Sequence, residues 1–293
     1  MSLYTYAIIE AVVREKSFLR AAKSLNLSSS AVSHSISRFE RQLGFPLFVR
    51  NRNSVELTSN GQHIFTYISQ VLKCNDRLEQ EANNMINKES GCVKIGTFNS
   101  VCVSWLPNIV KSFKKKYPNI DIIIYQGGYE DILHWLKTHM VDIAFVSQAI
   151  SGNMDITVIH LDRMVCITPK DFKPINKNYV TIDDIKGKQL IQQGAGNNAE
   201  TERFLSKYQI QSESKCFVED DLSVIAMVEC GFGISILQEL VVKDIHADIS
   251  IYPIVPAEYR TIGITVGENP DMAPATRLMY NHIVNNMAEI YSK

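Results

Sequence analysis

The chain has 293 residues, 45% hydrophobic and 21% charged, an ordinary balance for a soluble globular protein with two or three domains and sizeable cores. Its formal net charge of −1 excludes no partner, but the charge is unevenly spread. Residues 1–60 hold eight Lys/Arg against four Asp/Glu, a balance of +4, so the remainder carries −5. A basic N-terminal unit on an acidic body is the asymmetry expected of a nucleic-acid reader with a separate regulatory part.

The six cysteines form no CxxC pair and show no metal-ligand spacing with the seven histidines. No basic-then-apolar signal segment opens the chain. The longest apolar stretch, Leu222 to Leu237, is broken by Glu229, Gly231 and Gly233 and reads as helix, turn and strand rather than a membrane span. These features predict a cytoplasmic protein with reduced thiols and no membrane partner.

In chain order, Leu3, Tyr6, Ile9 or Glu10, and Val13 predict a first helix. Ser17 can cap a second, Phe18–Leu25, with Phe18, Ala21, Ala22 and Leu25 inward. Asn26-Leu27 makes a turn of the length that joins two crossed helices. Ser28 then caps a third helix, on which Val32, Ile36, Phe39 and Leu43 form one apolar stripe before Gly44 stops it. Opposite the stripe lie Ser29, Ser33 and Ser37, flanked by Ser30, His34, Arg38 and Arg41. Helices joined this way form a helix-turn-helix, whose second helix enters the major groove by its N-terminal residues. Short hydroxyls allow a close backbone approach, and serine can bond to bases or phosphates. Candidate DNA contacts are therefore Ser28, Ser29, Ser30, Ser33, His34, Ser37 and Arg38. From Phe45 to Thr58 two short extended runs flank a polar tip. They predict a β-hairpin wing carrying Arg50 and Arg52 to phosphates or the minor groove.

These residues carry a family resemblance. Ala21-Ala22, Ser28-x-x-Ala31-Val32-Ser33, Leu43-Gly44-x-Pro46-Leu47-Phe48-x-Arg50 and Leu57-Thr58-x-x-Gly61 resemble the N-terminal domain of LysR-type transcriptional regulators. The family often has Gln-Pro at Ser29-Ser30 and Arg at His34. The match is specific over about the first sixty residues and continues more loosely to the C-terminus.

From Ser59 to about Lys88, Ile64, Ile68, Val71, Asn75, Leu78, Ala82 and Met85 alternate spacings of four and three. That is the period of a coiled-coil seam, with polar Asn75 suited to setting register. The alternative is a helix packed on its own domain. The resemblance implies a helix that links the domains and pairs two subunits along this seam. Glu89-Ser90-Gly91 is the expected hinge.

Residues 92–293 alternate strand-like runs (Val93–Gly96, Asp121–Tyr125, Asp142–Val146) with helix-like ones (Ser104–Tyr117, Glu130–His139), and further units follow near Met164–Thr168, Lys188–Gln192, Ala199–Tyr208, Leu222–Glu229 and Gly233–Leu237. Such alternation predicts parallel α/β sheet. The resemblance implies two α/β lobes like those of periplasmic solute-binding proteins, with crossings near Leu161 and Thr265. "MVECGFGISILQ" is similar to the family's helix–Gly–x–Gly–strand signature, with Gln238 where proline is common. The expected fold is α/β: a winged helix-turn-helix (1–58), a linker and dimerisation helix with hinge (59–91), and a two-lobed effector domain (92–293). Lobe I spans about 92–161 and 266–293, and lobe II about 162–265.

In such a fold the ligand sits at strand C-terminal ends. There, Thr97–Cys102, Gln126–Gly128, Ser147-Gln148 and Gly194–Asn198 offer Ser100, Cys102, Ser147, Gln148 and Asn197 as candidate effector contacts. Hydroxyls, a thiol and amides with few nearby cations suit a small metabolite held by neutral groups.

No GxSxG, GxxxxGK[ST] or HExxH occurs, and "GAGNNAE" misses the dinucleotide fingerprint because Ala199 fills its third glycine position. Asp183-Asp184 and Asp220-Asp221 read as carboxylates complementing helix starts. No enzyme activity, cofactor or metal is expected. The expected function is sequence-specific transcription regulation under a small-molecule effector. Expected partners are double-stranded operator DNA, the effector, and a second or further copy in a homodimer or homotetramer, with RNA polymerase a candidate. Two alternatives stand beside it. One is a thiol redox sensor, in which Cys102 is the thiol placed for a lowered pKa. The other is a solute-binding protein without DNA activity.

Overall fold

The computed structural model describes residues 2–50, 55–85, 90–194, 199–211, 217–218, 220–267 and 272–291. Helix α1 (Leu3–Glu15) starts at Ser2, whose hydroxyl accepts the Thr5 N–H at 3.3 Å. Its buried face is Ile8, Ile9, Ala11 and Val12, while Leu3 is exposed, so the inward stripe is rotated from the one expected. Ser17 caps α2 (Phe18–Ser24) and Ser28 caps α3 (Ser29–Leu43), as the side-chain chemistry requires. Gly44 closes α3 at φ 82°, a left-handed conformation that glycine adopts without strain. The wing follows as an antiparallel hairpin of β1 (Phe48–Arg50) and β2 (Val55–Leu57). Glu40 anchors it to α3 by accepting the Leu47 and Phe48 N–H groups at 2.7 and 3.3 Å. Helix α4 (Ser59–Met85) then runs for 27 residues.

Lobe I begins with β3 (Gly91–Thr97), α5 (Asn99–Ser104), α6 (Leu106–Lys116), β4 (Ile120–Gln126), α7 (Tyr129–Lys137) and β5 (Ile143–Ser147). Strand β6 (Thr157–Pro169) leaves it. Lobe II holds β7 (Val180–Thr181), α8 (Ile182–Ile185), β8 (Gln192–Gln193), α9 (Ala199–Lys207), β9 (Phe217–Val218), α10 (Asp221–Glu229), β10 (Ser235–Gln238), α11 (Glu239–Val242) and β11 (Ile249–Val255). The chain returns through β12 (Tyr259–Thr265) and ends in α12 (Pro274–Tyr291). The main sheet is ordered β4-β3-β5-β12-β6-β11-β7, with β10 also on β6.

β6 makes the first crossing in mid-strand. Residues up to Arg163 pair with β12 and those from Met164 onward pair with β10 and β11, close to the expected Leu161. The second crossing differs from expectation. β12 pairs with β5 and buries Ile262 and Ile264 in the lobe I core, so the chain returns at residues 256–258 and not near Thr265. Lobe I therefore includes β12 as well as 266–293. The helix expected over Ser104–Tyr117 is preceded by the separate α5, and β11, β12 and α12 are elements the sequence patterns did not single out.

Candidate functional site

On α3, Val32, Ile36 and Phe39 are buried, while Ser29, Ser30, His34 and Arg38 are exposed and Ser33 and Ser37 half-buried. Burying such side chains contributes about 1.5–3 kcal/mol each, which fixes the opposite face outward. Ser28 is engaged in capping: its hydroxyl accepts the Ala31 N–H at 3.1 Å and pairs with the Ser30 hydroxyl at 3.0 Å. In the wing, Arg50 closes the ladder opposite Val55. The Arg50 side chain and the whole of Arg52 lie outside the described residues.

Helix α4 divides the expected seam. Ile68 is buried, with Phe65, in the chain's own N-terminal core, and Ile64 packs against it. The reading of Ile64 and Ile68 as subunit contacts is corrected on this ground: their face of α4 is already covered by α1 and its neighbours. Val71, Leu78, Ala82 and Met85 remain exposed, Leu78 at 68% and Met85 at 84%. Half-buried Asn75 donates from Nδ2 to Glu79 Oε1 at 3.0 Å.

The N-terminal unit rests on lobe I. Lys94 Nζ lies 2.9 Å from Glu10 Oε1, Lys73 Nζ 3.1 Å from Asp142 Oδ1, and the Ala275 N–H donates to Gln80 Oε1 at 3.2 Å. Met140 of lobe I completes the N-terminal core. Burial alone would lower the Lys94 pKa, but Glu10 beside it and Asp142 outweigh this and raise it.

Between the lobes lies a buried polar junction. Arg260 of β12, 3% exposed, donates from Nη2 to Asp162 Oδ2 at 2.6 Å and to Ser100 Oγ at 2.8 Å. Its Nη1 reaches Tyr129 Oη at 3.3 Å, and the guanidinium stands 4.8 Å over the Phe98 ring. Glu200 of α9 accepts from Tyr129 Oη at 3.2 Å and from the Ser147 hydroxyl. Asp162 also accepts the Leu240 N–H at 3.0 Å. Arg260 thus joins both crossing strands to α5 and α7 of lobe I, and lobe II reaches the same cluster through Glu200 on Tyr129 and Ser147. Burial pushes the Tyr129 hydroxyl pKa up. For Arg260 the opposing effect of burial is outweighed by Tyr129, Asp162 and Glu200, which raise its pKa further.

A second bridge crosses nearby. Asn99 donates to Asp221 at 2.8 Å, Gln126 donates to Asn99 at 3.1 Å, and Gln193 donates to Asp221. A cavity of about 390 Å³ opens here, lined by Ser100, Tyr129, Gln193, Asp221, Gln238 and Arg260 among others. Another of about 510 Å³ also reaches Arg260 and is lined by Gln148, Arg203, Lys207 and Glu258.

Of the expected effector contacts, Ser100 lines the first cavity but is bonded to Arg260, and Gln148 is exposed at the second. Ser147 also lines the second cavity, although it is fully buried, and donates to Glu200. Cys102 lines neither cavity, and burial raises its thiol pKa, reversing the expected lowering. Asn197 lies outside the described residues. The expectation of a site of neutral groups is also corrected, since Arg260, Asp162, Glu200 and Asp221 dominate it. One signal could have found the first two: charges at the start of apolar strand runs, Asp162 with Arg163 before "MVCIT" and Arg260 before "TIGIT". Burial pushes Cys92 up to about 11 and Cys166 up to about 12. Among the described residues no cluster of metal-ligating side chains occurs, and no helix is long and apolar enough to cross a membrane.

Residues 3–62 match the family described as bacterial regulatory helix-turn-helix protein, lysR family, and residues 87–288 match the LysR substrate binding domain. The HTH-type transcriptional regulator YvbU of Bacillus subtilis (strain 168) is 25% identical over 283 residues, covering 95% of this chain and 96% of the relative. A single-substitution variant of full-length OxyR from Pseudomonas aeruginosa superposes with a TM-score of 0.70 at 20% identity, covering 97% of each chain. The effector binding domain of QuiR in complex with shikimate superposes at 0.61 and 18% identity, over 68% of this chain and 98% of that one.

Proposed function

The chain belongs to the LysR family of bacterial transcriptional regulators, and from that premise we propose which of its parts perform the family's work. It is a DNA-binding regulator whose activity is controlled by a small-molecule effector. The operator is read by α3 through Ser29, Ser30, Ser33, His34, Ser37 and Arg38, with Ser28 holding the helix start and Arg50 and Arg52 on phosphates. Two subunits pair along α4 through Val71, Leu78, Ala82 and Met85. The effector occupies the cavity bounded by Ser100, Tyr129, Asp221 and Arg260. The protein acts by binding rather than catalysis, in the cytoplasm, where its operator is.

The observation that carries this reading is a buried cluster in which Arg260 ties both crossing strands to lobe I and Glu200 of lobe II joins through Tyr129 and Ser147, beside a lobe I that is ion-paired to α1 and α4. A ligand shifts a regulator only by binding its two conformations unequally. One that re-sets this junction changes the angle between lobes, and lobe I carries the change to the reading head. Against the thiol alternative, burial raises the pKa of Cys102, the thiol that reading needs, as it does those of Cys92 and Cys166, which disfavours the thiolate.

The test is selection of a preferred duplex from a random pool by the full-length protein, followed by titration of that duplex against an unrelated one. Ser33→Ala with His34→Ala should erase the preference. A pool that yields no preferred duplex would overturn the reading.

A further inference from the structure

Two consecutive aspartates at the start of α10 do different things. Asp220 accepts the Ser223 N–H at 2.9 Å and the Ser223 hydroxyl at 2.6 Å, so it is an ordinary helix cap. Those bonds hold its pKa below the usual carboxylate range. Asp221 caps nothing. It is 8% exposed, and its carboxylate accepts only the neutral side-chain amides of Asn99 and Gln193, with no ion pair among the described residues. The α10 N-terminus offsets part of the burden. A buried carboxylate facing a cavity without a counter-ion is still a charge awaiting one.

Arg260 lines the same cavity. It is paired with Asp162, yet among the described residues its buried Nε–H has no acceptor, a deficiency that buried polar groups rarely keep. Among the side chains lining this cavity, the carboxylates of Asp220 and Asp221 outnumber the one guanidinium. A dianion would meet repulsion there, whereas a cationic group would complete Asp221.

We propose that the effector is a small zwitterion of the amino-acid type, its ammonium group on Asp221 and its carboxylate on the Arg260 guanidinium. The proposal rests on the reading of this cleft as the effector site. The cavity, about 390 Å³, is within the range of small-molecule sites, roughly 300–1,000 Å³. Asn99 and Gln193, already on Asp221, would keep the carboxylate oriented toward the incoming ammonium.

Calorimetry on the full-length protein tests it with four kinds of probe: the standard L-amino acids and β-alanine, succinate as dianion, butylamine as simple cation, and glycerol as neutral. At least one zwitterion should bind, more tightly than butylamine and far more tightly than succinate. Asp221→Asn should weaken that zwitterion roughly tenfold to a hundredfold, the range for a lost hydrogen bond to a charged group. The ranking of probes on the unmodified protein stands even if the variant fails to fold. Leu222→Trp, a substitution at an exposed position on the cavity wall, separates the two ideas. If succinate or glycerol binds best and Leu222→Trp abolishes it, the zwitterion is wrong and the effector cleft stands. If a probe binds and Leu222→Trp changes nothing, the cleft itself is wrong. If no zwitterion binds, the proposal is overturned.

Discussion

Lys94 of strand β3 and Glu10 of helix α1 are ion-paired at 2.9 Å, each with about a fifth of its side chain exposed. The first strand of the effector domain is thereby tied to the first helix of the reading head. Together with Lys73–Asp142 it ties lobe I to both α1 and α4.

Lys94→Met should leave operator affinity without effector nearly unchanged and reduce the effect of effector on it. A double-mutant cycle with Glu10→Gln should give a coupling of about 0.5–3 kcal/mol in thermal stability. Full effector response in Lys94→Met would mean that this pair carries none of it.

The two ends of α4 should respond differently to substitution. Ile68→Ala opens a hole in the N-terminal core and should cost about 2–5 kcal/mol of stability. Leu78 is 68% exposed, so Leu78→Asp should leave the fold intact while dissociating the dimer. Light scattering and thermal melting of both variants decide it: an unaltered oligomer in Leu78→Asp refutes the pairing face.

Base reading and phosphate holding should separate on α3. Ser33→Ala or His34→Ala should lower discrimination between operator and random duplex by about 1–3 kcal/mol. Arg38→Ala should weaken both alike and reduce the salt slope by roughly one. Fluorescence anisotropy at several salt concentrations measures both quantities.

Arg260→Met should be among the most damaging single changes, about 3–5 kcal/mol, because it strands the buried Asp162 charge. Adding Asp162→Asn should recover part of that loss. Chemical denaturation of the single and double variants checks the recovery, which an ordinary packing defect would not show.

Asp184, buried in lobe II, accepts the Ile175 and Thr181 N–H groups at 2.8 Å each and the Thr181 hydroxyl at 2.6 Å. Burial alone would raise its pKa, but these donors outweigh it and hold the carboxyl below its ordinary 3.8. A depressed folded pKa gives stability that is present above the unfolded value and lost as pH falls through the folded one. Asp184→Asn should therefore lose stability at neutral pH, roughly 1–3 kcal/mol, and show a shallower acid limb in thermal melts below about pH 4.

Where local rules and burial agree, the sequence was a sufficient guide. Ser28, the stripe from Val32 to Phe39 and Gly44 mark α3 because cap, period and stop all lie within one helix. For α4 the period was legible but the partner was not: spacing of four and three cannot tell a chain's own core from a second subunit. Ile68 and Leu78, equivalent in pattern, end on different sides of that choice. The pair Asp220-Asp221 shows a similar limit. Both suit a helix start, and only the fold, by bringing Asn99 across from lobe I, turns Asp221 into the cavity. Arg260 and Glu200 were missed because their roles depend on partners roughly 50 to 160 positions away in the chain.

The exposed run of α4 begins at Val71, less than a turn beyond the buried Ile68, within one uninterrupted helix. At 1.5 Å per residue, 27 residues make a rod of about 40 Å with no joint between the reading head and the pairing face. Rotational phase is thereby imposed on the target: the two half-sites must face the same side of the duplex. Inserting about half a helical repeat of DNA between them, roughly 5 bp, should silence the operator, and inserting a whole repeat, roughly 10 bp, should restore its facing.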